Sequence, residues 1–590
     1  MEKIIDLQNV SYRYPGSKNQ SLSGVTLGVK PGKLTLVMGP TGAGKTTLSM
    51  CLNGLIPQLY GGALTGELAV AGYDLRRYQV QTLAQKIGLV LQDPETQIFG
   101  ITVFEDTAFG LRNFLVPAAE IETRVTEVLK KVGLEGYQDR NTAELSGGEK
   151  QRLAIAGILA LGPEVLVLDE PASELDPAGR HDIYQLITAL NREQHLTVLA
   201  TEHVAEELIE QADEVFVLVQ GKIAWQGNPS DLFRDLELLS QFGMKPLPFT
   251  QIGWEFFKKG WIPFDQIPLN LSMAEKMIRK FLTSTGSSGF RSGRPVPETA
   301  HARVNPPQLS HSSTVILQAE NLCYQYPSNA GTGLRNINLA IHQGEFVAVI
   351  GPNGAGKTTL AKHFNGLLKP KCGRVFVDGM NTVLAPTSKL AQTVGYVFQN
   401  PDHQLFCISV EKELEYGLLN AGLPDSERKR RIDRILKFLQ LETYRHIHPF
   451  KLSKGERQRI ALASILVLNP KILVIDEPTT GLDWVGVQQL MNFIRELNRL
   501  GSTIIMITHD MDLVARYASR VIVMKSGSLL VDGSPQEIFS DFAMLQKAGV
   551  IPPPVTRLGI KLQDCGLPEI FLDERALIDY LIGEIEDLPC

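Results

Sequence analysis

Two segments of the sequence have the residue types and spacing of a loop that binds phosphate groups. In each, a glycine is followed after four residues by Gly-Lys-Thr-Thr. Glycines at this spacing let backbone amides turn towards a phosphate, the lysine adds positive charge, and the first threonine hydroxyl suits Mg²⁺. The segments are Gly39, Pro40, Thr41, Gly42, Ala43, Gly44, Lys45, Thr46 and Thr47, and Gly351, Pro352, Asn353, Gly354, Ala355, Gly356, Lys357, Thr358 and Thr359.

An acidic pair follows a wholly apolar run in each half of the chain, as Asp169-Glu170 and as Asp476-Glu477. An aspartate at the end of a buried strand can hold the Mg²⁺ shell, and the next glutamate can orient or deprotonate an attacking water. Taken alone, such a pair is more often a solvated loop. Its recurrence beside both phosphate loops favours the catalytic interpretation.

The elements that position these residues are those of an α/β domain. Short apolar runs end at the first glycine of each phosphate loop, and a helix-forming segment follows each loop. The runs before the acidic pairs are apolar throughout, as expected for central strands of a parallel sheet. The predicted fold is therefore α/β, with two nucleotide-binding domains in one chain, each with a parallel-sheet core.

The sequence is an internal repeat. Lys357 follows Lys45 by 312 positions, and Asp476 follows Asp169 by 307. The difference lies in a loop insertion near residues 56–62 of the first copy. The predicted organisation is a first domain over 1–230, a helical appendage over 231–282, a flexible Ser/Gly/Pro/Arg-rich linker over 283–313, a second domain over 314–535 and a second appendage over 536–590.

Composition and charge argue against a nucleic-acid-binding protein and against a chain that spans the membrane. The 590 residues carry 58 Lys and Arg against 64 Asp and Glu, a net charge of −6 that argues against a nucleic-acid-binding surface. No apolar run approaches the length of a membrane span, and the first residues lack a signal-peptide core. The six cysteines are scattered along the sequence, which predicts buried or incidental free thiols in a reducing compartment.

Two further segments carry a family resemblance. Residues 145–150 read Leu-Ser-Gly-Gly-Glu-Lys and residues 452–457 read Leu-Ser-Lys-Gly-Glu-Arg, each shortly before the apolar run and its acidic pair. The order of motifs resembles the ATPases of the ABC transporter family over nearly all of the chain outside the linker. This resemblance implies that each α/β domain also has a helical subdomain. The remaining residues of that resemblance are Gln92, Asp176 and His203, and Gln399, Asp483 and His509.

The resemblance implies a head-to-tail pairing of the two halves, with two ATP molecules and Mg²⁺ held between them. One site would combine Lys45, Thr46, Gln92, Asp169, Glu170 and His203 with Ser453, Gly455 and Glu456. The other would combine Lys357, Thr358, Gln399, Asp476, Glu477 and His509 with Ser146, Gly147, Gly148 and Glu149. Catalysis would fall to Glu170, His203, Glu477 and His509, metal binding to Thr46, Gln92, Asp169, Thr358, Gln399 and Asp476, and adenine stacking to Tyr14 and Tyr326.

One position departs from the repeat, because Lys454 replaces the first glycine of the second signature. The lysine either offers its backbone amide as a glycine would or crowds the nucleotide. Both halves keep their glutamate and histidine, so two hydrolytically competent sites are predicted, with the site of Lys45 the one that Lys454 would alter.

Gln92 and Gln399 each begin the same pattern, Gln-x-Pro-acid-x-Gln-x-Phe, which covers residues 92–99 and 399–406. It resembles the energy-coupling factor (ECF, or cobalt-type) importer ATPases. That resemblance implies a transmembrane T component and a substrate-binding S component as partners, a place at the cytoplasmic face of the membrane, and a vitamin or metal ion as substrate. The fused arrangement resembles importers for thiamine or its hydroxymethylpyrimidine precursor.

The alternative is a soluble tandem ATPase that acts on ribosomes or DNA. Its ribosome-associated members carry long charged linkers, whereas this linker is short and rich in Ser, Gly and Pro. Its DNA-repair members carry zinc-binding cysteine pairs or coiled-coil insertions, and the sequence has neither. The acidic net charge also disfavours this alternative.

Overall fold

The computed structural model describes residues 3–173, 175–203, 206–284, 314–326, 333–479, 481–565, 567 and 570–586. The chain divides into two compact units, Met1–Leu247 and Pro248–Cys590. The predicted first appendage, 231–282, is therefore shared between the two units. Residues 285–313 of the predicted linker lie outside the described residues.

The first unit contains two β-sheets. Its strands are β1 (Ile5–Arg13), β2 (Leu22–Val29), β3 (Leu34–Met38), β4 (Ala63–Val70), β5 (Tyr73–Asp74), β6 (Ile87–Val90), β7 (Val165–Asp169), β8 (Thr197–Glu202), β9 (Glu214–Val219) and β10 (Lys222–Gly227). An antiparallel sheet has the order β2-β1-β4-β5, and a six-stranded sheet has the order β10-β9-β3-β8-β7-β6 with β10 antiparallel to β9. Every residue of β3 and β7 is buried, because parallel strands are covered on both faces.

Helices of the first unit connect these strands and form a separate helical layer. They are α1 (Lys45–Leu52), α2 (Leu55–Gln58), α3 (Val80–Leu83), α4 (Val103–Asn113), α5 (Ala118–Lys131), α6 (Gly147–Leu159), α7 (Pro177–Gln194), α8 (Pro229–Arg234) and α9 (Leu236–Gln241). Helix α4 packs against α5 and α6. It begins at a capping box in which Thr102 and Glu105 satisfy each other's backbone amides.

The second unit repeats this plan. Its strands are β11 (Val315–Gln325), β12 (Gly333–His342), β13 (Phe346–Ile350), β14 (Cys372–Val377), β15 (Met380–Asn381), β16 (Val394–Val397), β17 (Ile472–Asp476), β18 (Thr503–Ile507), β19 (Arg520–Lys525) and β20 (Ser528–Gly533). The sheet orders are β12-β11-β14-β15 and β16-β17-β18-β13-β19-β20. The same strand order in both copies confirms the predicted α/β fold. Asp169 and Asp476 are the last residues of β7 and β17, which lie inside the six-stranded sheets.

The second unit also contains more helices than the repeat alone supplies. Two come from the first half of the chain, α10 (Pro248–Lys258) and α11 (Leu271–Ser284). The others are α12 (Lys357–Phe364), α13 (Thr387–Thr393), α14 (Val410–Asn420), α15 (Asp425–Phe438), α16 (Lys454–Leu466), α17 (Trp484–Arg499), α18 (Met511–Tyr517), α19 (Pro535–Ser540), α20 (Phe542–Ala548), α21 (Pro554–Lys561) and α22 (Glu574–Glu586). None of the described helices has the length and apolar character that crossing a bilayer requires.

Helices α10 and α11 pack against α21 and α22, so the two predicted appendages share one core. Phe256 of α10 and Tyr580 of α22 are fully buried in it. At its edge the Arg279 guanidinium binds both carboxylate oxygens of Asp564 at 3.0 Å. The Asp564 pKa is lowered by the Arg279 hydrogen bond. Bidentate pairs of this kind fix orientation more than they add stability.

Candidate functional site

The first phosphate loop depends on glycine for its backbone path. Gly39, Gly42 and Gly44 have φ angles of 149°, 77° and 104°. A Cβ at Gly39 would lie 2.0 Å from the Leu218 carbonyl oxygen, and one at Gly44 would lie 2.5 Å from that of Ser21. The loop therefore presses against neighbouring backbone and leads into the N-terminus of α1, where amides and helix dipole favour an anion.

The second phosphate loop has the same geometry. Gly351, Gly354 and Gly356 have φ angles of 143°, 74° and 99°, and α12 begins at the next residue, Lys357. A Cβ at Gly351 would lie 2.1 Å from the Met524 carbonyl oxygen. Both loops thus have the shape that an ATP phosphate chain requires.

A buried lysine lies inside each loop. The Lys45 ammonium donates to the carbonyl oxygens of Gly39 at 2.9 Å and Pro40 at 3.3 Å, and that of Lys357 donates to Gly351 at 2.8 Å. Burial lowers the Lys45 pKa, and the carboxylate of Glu170 opposes that effect. Each ammonium is therefore held where a phosphate would replace backbone carbonyls as its partner.

In the first half, the predicted catalytic glutamate and histidine are in contact. The His203 Nε2 atom lies 2.8 Å from Glu170 Oε1, and the Lys45 Nζ atom lies 3.6 Å from the same oxygen. His203 also lies 3.2 Å from Lys45 Nζ through its Nδ1 atom. Glu170 follows β7 with a φ of 49°, a left-handed conformation that a glutamate adopts at a cost. The structure thus brings these three side chains together.

The second half repeats this group with longer distances. The His509 Nε2 atom lies 3.2 Å from Glu477 Oε1 and 3.4 Å from Lys357 Nζ. Glu477 also has a φ of 49°. Burial raises the pKa of Glu477 to about 8, against the lowering effect of Lys357. A carboxylate with this pKa is suited to accept a proton near neutral pH.

The two aspartates are held by different partners. Asp169 accepts a hydrogen bond from Thr201 of β8 at 2.7 Å. Asp476 accepts from Thr358 at 2.8 Å and from Tyr396 of β16 at 2.9 Å. Burial raises the pKa of both aspartates, and these hydrogen bonds oppose it. The halves therefore share the carboxylate position and differ in the hydrogen-bond donor that the neighbouring strand supplies.

The oxygen donors at this place fit Mg²⁺. The Thr358 hydroxyl is hydrogen-bonded to Asp476, and Thr46 is hydrogen-bonded to Asp169. A threonine hydroxyl beside a carboxylate is a donor set that hard divalent cations prefer. Mg²⁺ bound there would neutralise charge on the β- and γ-phosphates.

The predicted glutamines follow β6 and β16. Gln92 donates to the Ser173 hydroxyl at 3.2 Å, and Ser173 donates to the Glu170 carbonyl oxygen at 3.1 Å. Gln399 is exposed. In the first half the glutamine is thus linked through Ser173 to the backbone of the predicted catalytic glutamate, Glu170, a connection that the sequence did not reveal.

The signature residues form their own hydrogen-bonded group at the start of a helix. Ser146 and Glu149 make a capping box at α6, and Ser453 and Glu456 make the same box at α16. Gly148 and Gly455 are the second residues of these helices. The box bonds the amide of the third residue of each helix, and the start of a helix is where backbone amides and the helix dipole favour an anion.

Lys454 fits its position without strain. It is the first residue of α16, and its equivalent, Gly147, has no left-handed φ. The side chain of Lys454 runs beside Gly481, at whose position a Cβ would lie 3.0 Å from the Lys454 Cδ atom. Lys454 thus begins α16 at the same position at which Gly147 begins α6.

The predicted adenine-stacking tyrosines lie against the helix that follows each phosphate loop. The Tyr14 hydroxyl is 3.2 Å from the Thr47 hydroxyl, and the Tyr326 hydroxyl is 3.3 Å from that of Thr359. Tyr324 packs edge-on against Tyr326 at 5.0 Å. Both tyrosines are therefore positioned by the phosphate-loop helix of their own half.

Sequence reasoning missed one buried acidic group in the first half. Glu202 ends β8 directly before His203, is 3% exposed, and accepts from the Tyr184 hydroxyl at 2.9 Å. Burial and then the charge of Glu170 raise the pKa of Glu202 to about 8. In the second half the residue before the histidine is Thr508, not a glutamate. This difference between the two copies is the one sequence signal that could have drawn attention to Glu202.

Comparison with known proteins agrees with this geometry. The sequence model of the ABC transporter family matches residues 22–173 and 334–480 of this chain. An ABC transporter ATP-binding protein of Methanosarcina acetivorans is 41% identical over 95% of this chain and 91% of its own, and one of Caldanaerobacter subterraneus is 40% identical over 95% and 96%. The chain belongs to the ABC transporter family. It is an ATP-binding, ATP-hydrolysing subunit of a transporter, with two ATPase domains.

A solved structure is also similar to part of the chain. It is cbiO1 from Clostridium perfringens, described as part of the ABC transporter complex cbiONQ. It is 40% identical, covers 40% of this chain and 94% of its own, and has a TM-score of 0.36.

Proposed function

We propose that this chain energises an importer of the energy-coupling factor type from the cytoplasmic face of the membrane. The observation that carries the proposal is an apolar patch presented twice, once by each half. The first patch consists of Phe99, Ile101 and Phe109, and the second of Phe406, Ile408 and Tyr416. Each patch begins with the last residue of its glutamine segment, Phe99 or Phe406, so each patch is joined directly to a predicted nucleotide site.

Aromatic packing and hydrogen bonds to a buried carboxylate hold each patch in place. Phe99 is 70% exposed and stacks on Phe109 at 5.6 Å, and Phe406 is 61% exposed and packs edge-on against Tyr416 at 4.9 Å. The buried carboxylate of Asp106 accepts from the backbone amides of Phe99 and Gly100 at 2.7 and 2.9 Å.

The second patch has the same support. The buried Glu413 accepts from the amides of Phe406 and Cys407 at 3.0 and 2.7 Å. A buried carboxylate that fixes an exposed aromatic loop in both copies supports a docking role, because large exposed apolar groups mark partner surfaces. The partner proposed here is the cytoplasmic, apolar helix end of a transmembrane T component.

In this proposal the two halves pair head to tail, so that the signature of one half completes the nucleotide site of the other. The helix amides behind Ser146 and Ser453 would then stabilise γ-phosphate charge only when the halves close. Closing is linked to ATP binding, and hydrolysis reverses it. Pairing within one chain raises the effective concentration of the partner half.

The substrate proposed is a vitamin or metal ion, bound by a separate S component. Thiamine or its hydroxymethylpyrimidine precursor is the first to test, since the fused arrangement resembles importers of these compounds. Uptake of labelled thiamine and hydroxymethylpyrimidine by cells with and without this chain measures it. Equal uptake of both compounds in both strains would remove them as substrates.

Substitution of the patches tests the docking role. Phe99→Ser with Phe406→Ser is expected to abolish recovery of the chain in a detergent-solubilised membrane complex. Its basal ATPase activity in isolation should remain, because both side chains are mostly exposed and pack on aromatic rings of their own patch. Leu384→Ser with Leu500→Ser is the matched control, because these leucines are 82% and 75% exposed outside the patch.

The competing function makes a different prediction for the same preparation. A ribosome- or DNA-directed ATPase would co-sediment with ribosomes or bind DNA, and would be absent from washed membranes. That result would overturn the importer proposal. The net charge of −6 favours the membrane partner, since the phosphate backbone of a nucleic acid selects basic surfaces.

A further inference from the structure

Two cysteines that are far apart in the sequence lie directly opposite each other in the second unit. Cys323 of β11 is the register partner of Cys372, the first residue of β14, in an antiparallel pair. Directly opposed residues of such a pair have Cβ atoms about 4.5–5.5 Å apart on the same face. Their Cα separation falls in the range that a disulfide bond accepts.

The backbone beside this pair brings the strands especially close. The register of β11 and β14 shifts between Glu320 and Cys323. Gly373, next to Cys372, has a left-handed backbone with a φ of 78°. A Cβ there would lie 2.3 Å from the carbonyl oxygens of both Glu320 and Asn321. The glycine therefore permits a close approach at the cysteine pair.

The two thiols interact and are accessible. A hydrogen bond from Cys372 lowers the pKa of the Cys323 thiol, and the same contact raises the pKa of the Cys372 thiol. Cys372 is exposed and Cys323 is half-buried. By contrast, Cys51 is buried, and burial raises its pKa to about 12. Cys323 is thus a better nucleophile than Cys372 or Cys51, because the thiolate is the reactive form and only the Cys323 pKa is lowered among these three.

The first half has no counterpart of this pair. At the same break in register, β1 and β4 place Ser11 opposite Thr65. The repeat therefore keeps the backbone arrangement and changes only the two side chains. Any chemistry of paired thiols at this place belongs to the second half alone.

We propose that Cys323 and Cys372 are a reversible thiol-modification site that small-molecule disulfides convert to an intramolecular disulfide. The Cys323 thiolate attacks one sulfur of the disulfide RSSR, which forms a mixed disulfide and releases RS⁻, protonated to RSH. The Cys372 thiol then loses its proton and attacks the Cys323 sulfur, which releases the second RSH. Two protein S–H bonds become one S–S bond, and the two electrons reduce RSSR to two thiols.

The disulfide would act next to the second nucleotide site. Strand β11 ends one residue before Tyr326, whose hydroxyl lies 3.3 Å from Thr359 on the phosphate-loop helix. A covalent link at Cys323 ties this end of the strand to β14.

The test uses the purified full chain in glutathione buffers from fully reduced to fully oxidised, with alkylation of remaining thiols before peptide mass spectrometry. The expected result is a linked peptide pair that joins Cys323 to Cys372 in oxidised buffer and disappears in reduced buffer. Cys323→Ser and Cys372→Ser should each leave the other cysteine with a single glutathione adduct. A Ser11→Cys, Thr65→Cys variant of the first half should gain a second linked pair.

Two results would overturn the proposal. One is recovery of both cysteines as alkylated free thiols in the oxidised buffer. The other is a separate glutathione adduct on each of the two cysteines with no linked pair, since that shows the thiols do not reach each other.

Discussion

Glu170→Gln is expected to lower ATP turnover at the phosphate loop of the first half by about 10²–10⁴-fold, and Glu477→Gln to do the same in the second half. Glutamine keeps the shape of the side chain but cannot accept the proton of the attacking water. In the structure Glu170 contacts His203 and Lys45, and Glu477 contacts His509, so each change falls at the centre of its group. Steady-state phosphate release by the purified chain measures the effect.

The control is Glu164→Gln, an exposed glutamate that pairs with Lys86 at 2.7 Å away from this group. Its turnover should equal that of the unmodified chain. The double variant should lose nearly all turnover. If one single variant kept full activity, the glutamate of that half would not be catalytic and that half would be idle.

Glu202→Gln is expected to stabilise the first unit at alkaline pH, by about 2–4 kcal/mol in the free energy of unfolding at pH 9. The folded chain keeps the Glu202 carboxyl protonated up to about pH 8, whereas the unfolded chain releases that proton near the ordinary value of 4.5. The stability that this proton contributes is complete below pH 4.5 and is lost as the pH rises through about 8. Glutamine mimics the protonated form at every pH.

The measurement is hydrogen exchange of β8 peptides across a urea series at pH 5, 7 and 9. At pH 5 the variant and the unmodified chain should be close in stability, and the difference should grow towards pH 9. Tyr184 can still donate to the glutamine oxygen, so the variant keeps the hydrogen bond. Parallel pH profiles would show that Glu202 does not hold its proton in the folded state.

Much of the fold was accessible from the sequence because its signals are local. The glycine spacing of each phosphate loop predicts a backbone conformation that other residues rarely adopt. The structure has the expected left-handed φ angles at Gly42 and Gly354. The apolar runs before Asp169 and Asp476 report strands buried on both faces. These features need no knowledge of which strands pair.

Other features depend on pairing that the sequence does not state. Asp169 is supported by Thr201 and Asp476 by Tyr396, and each partner comes from a neighbouring strand whose register decides the contact. Leu89 and Ile507 occupy the equivalent positions in the opposite halves. The Cys323–Cys372 pair was hidden for the same reason, so the prediction of scattered, incidental thiols did not anticipate it.

The packing of α10 and α11 has a consequence for how the protein can be encoded. These helices precede residues 285–313 in the chain, yet they complete a core with α21 and α22 that follow it. A chain cut within 285–313 would give two fragments, the first of which ends in helices that belong to the fold of the second. We therefore expect a gene split at this point to encode two subunits that associate through this core and co-elute in size-exclusion chromatography without any covalent link.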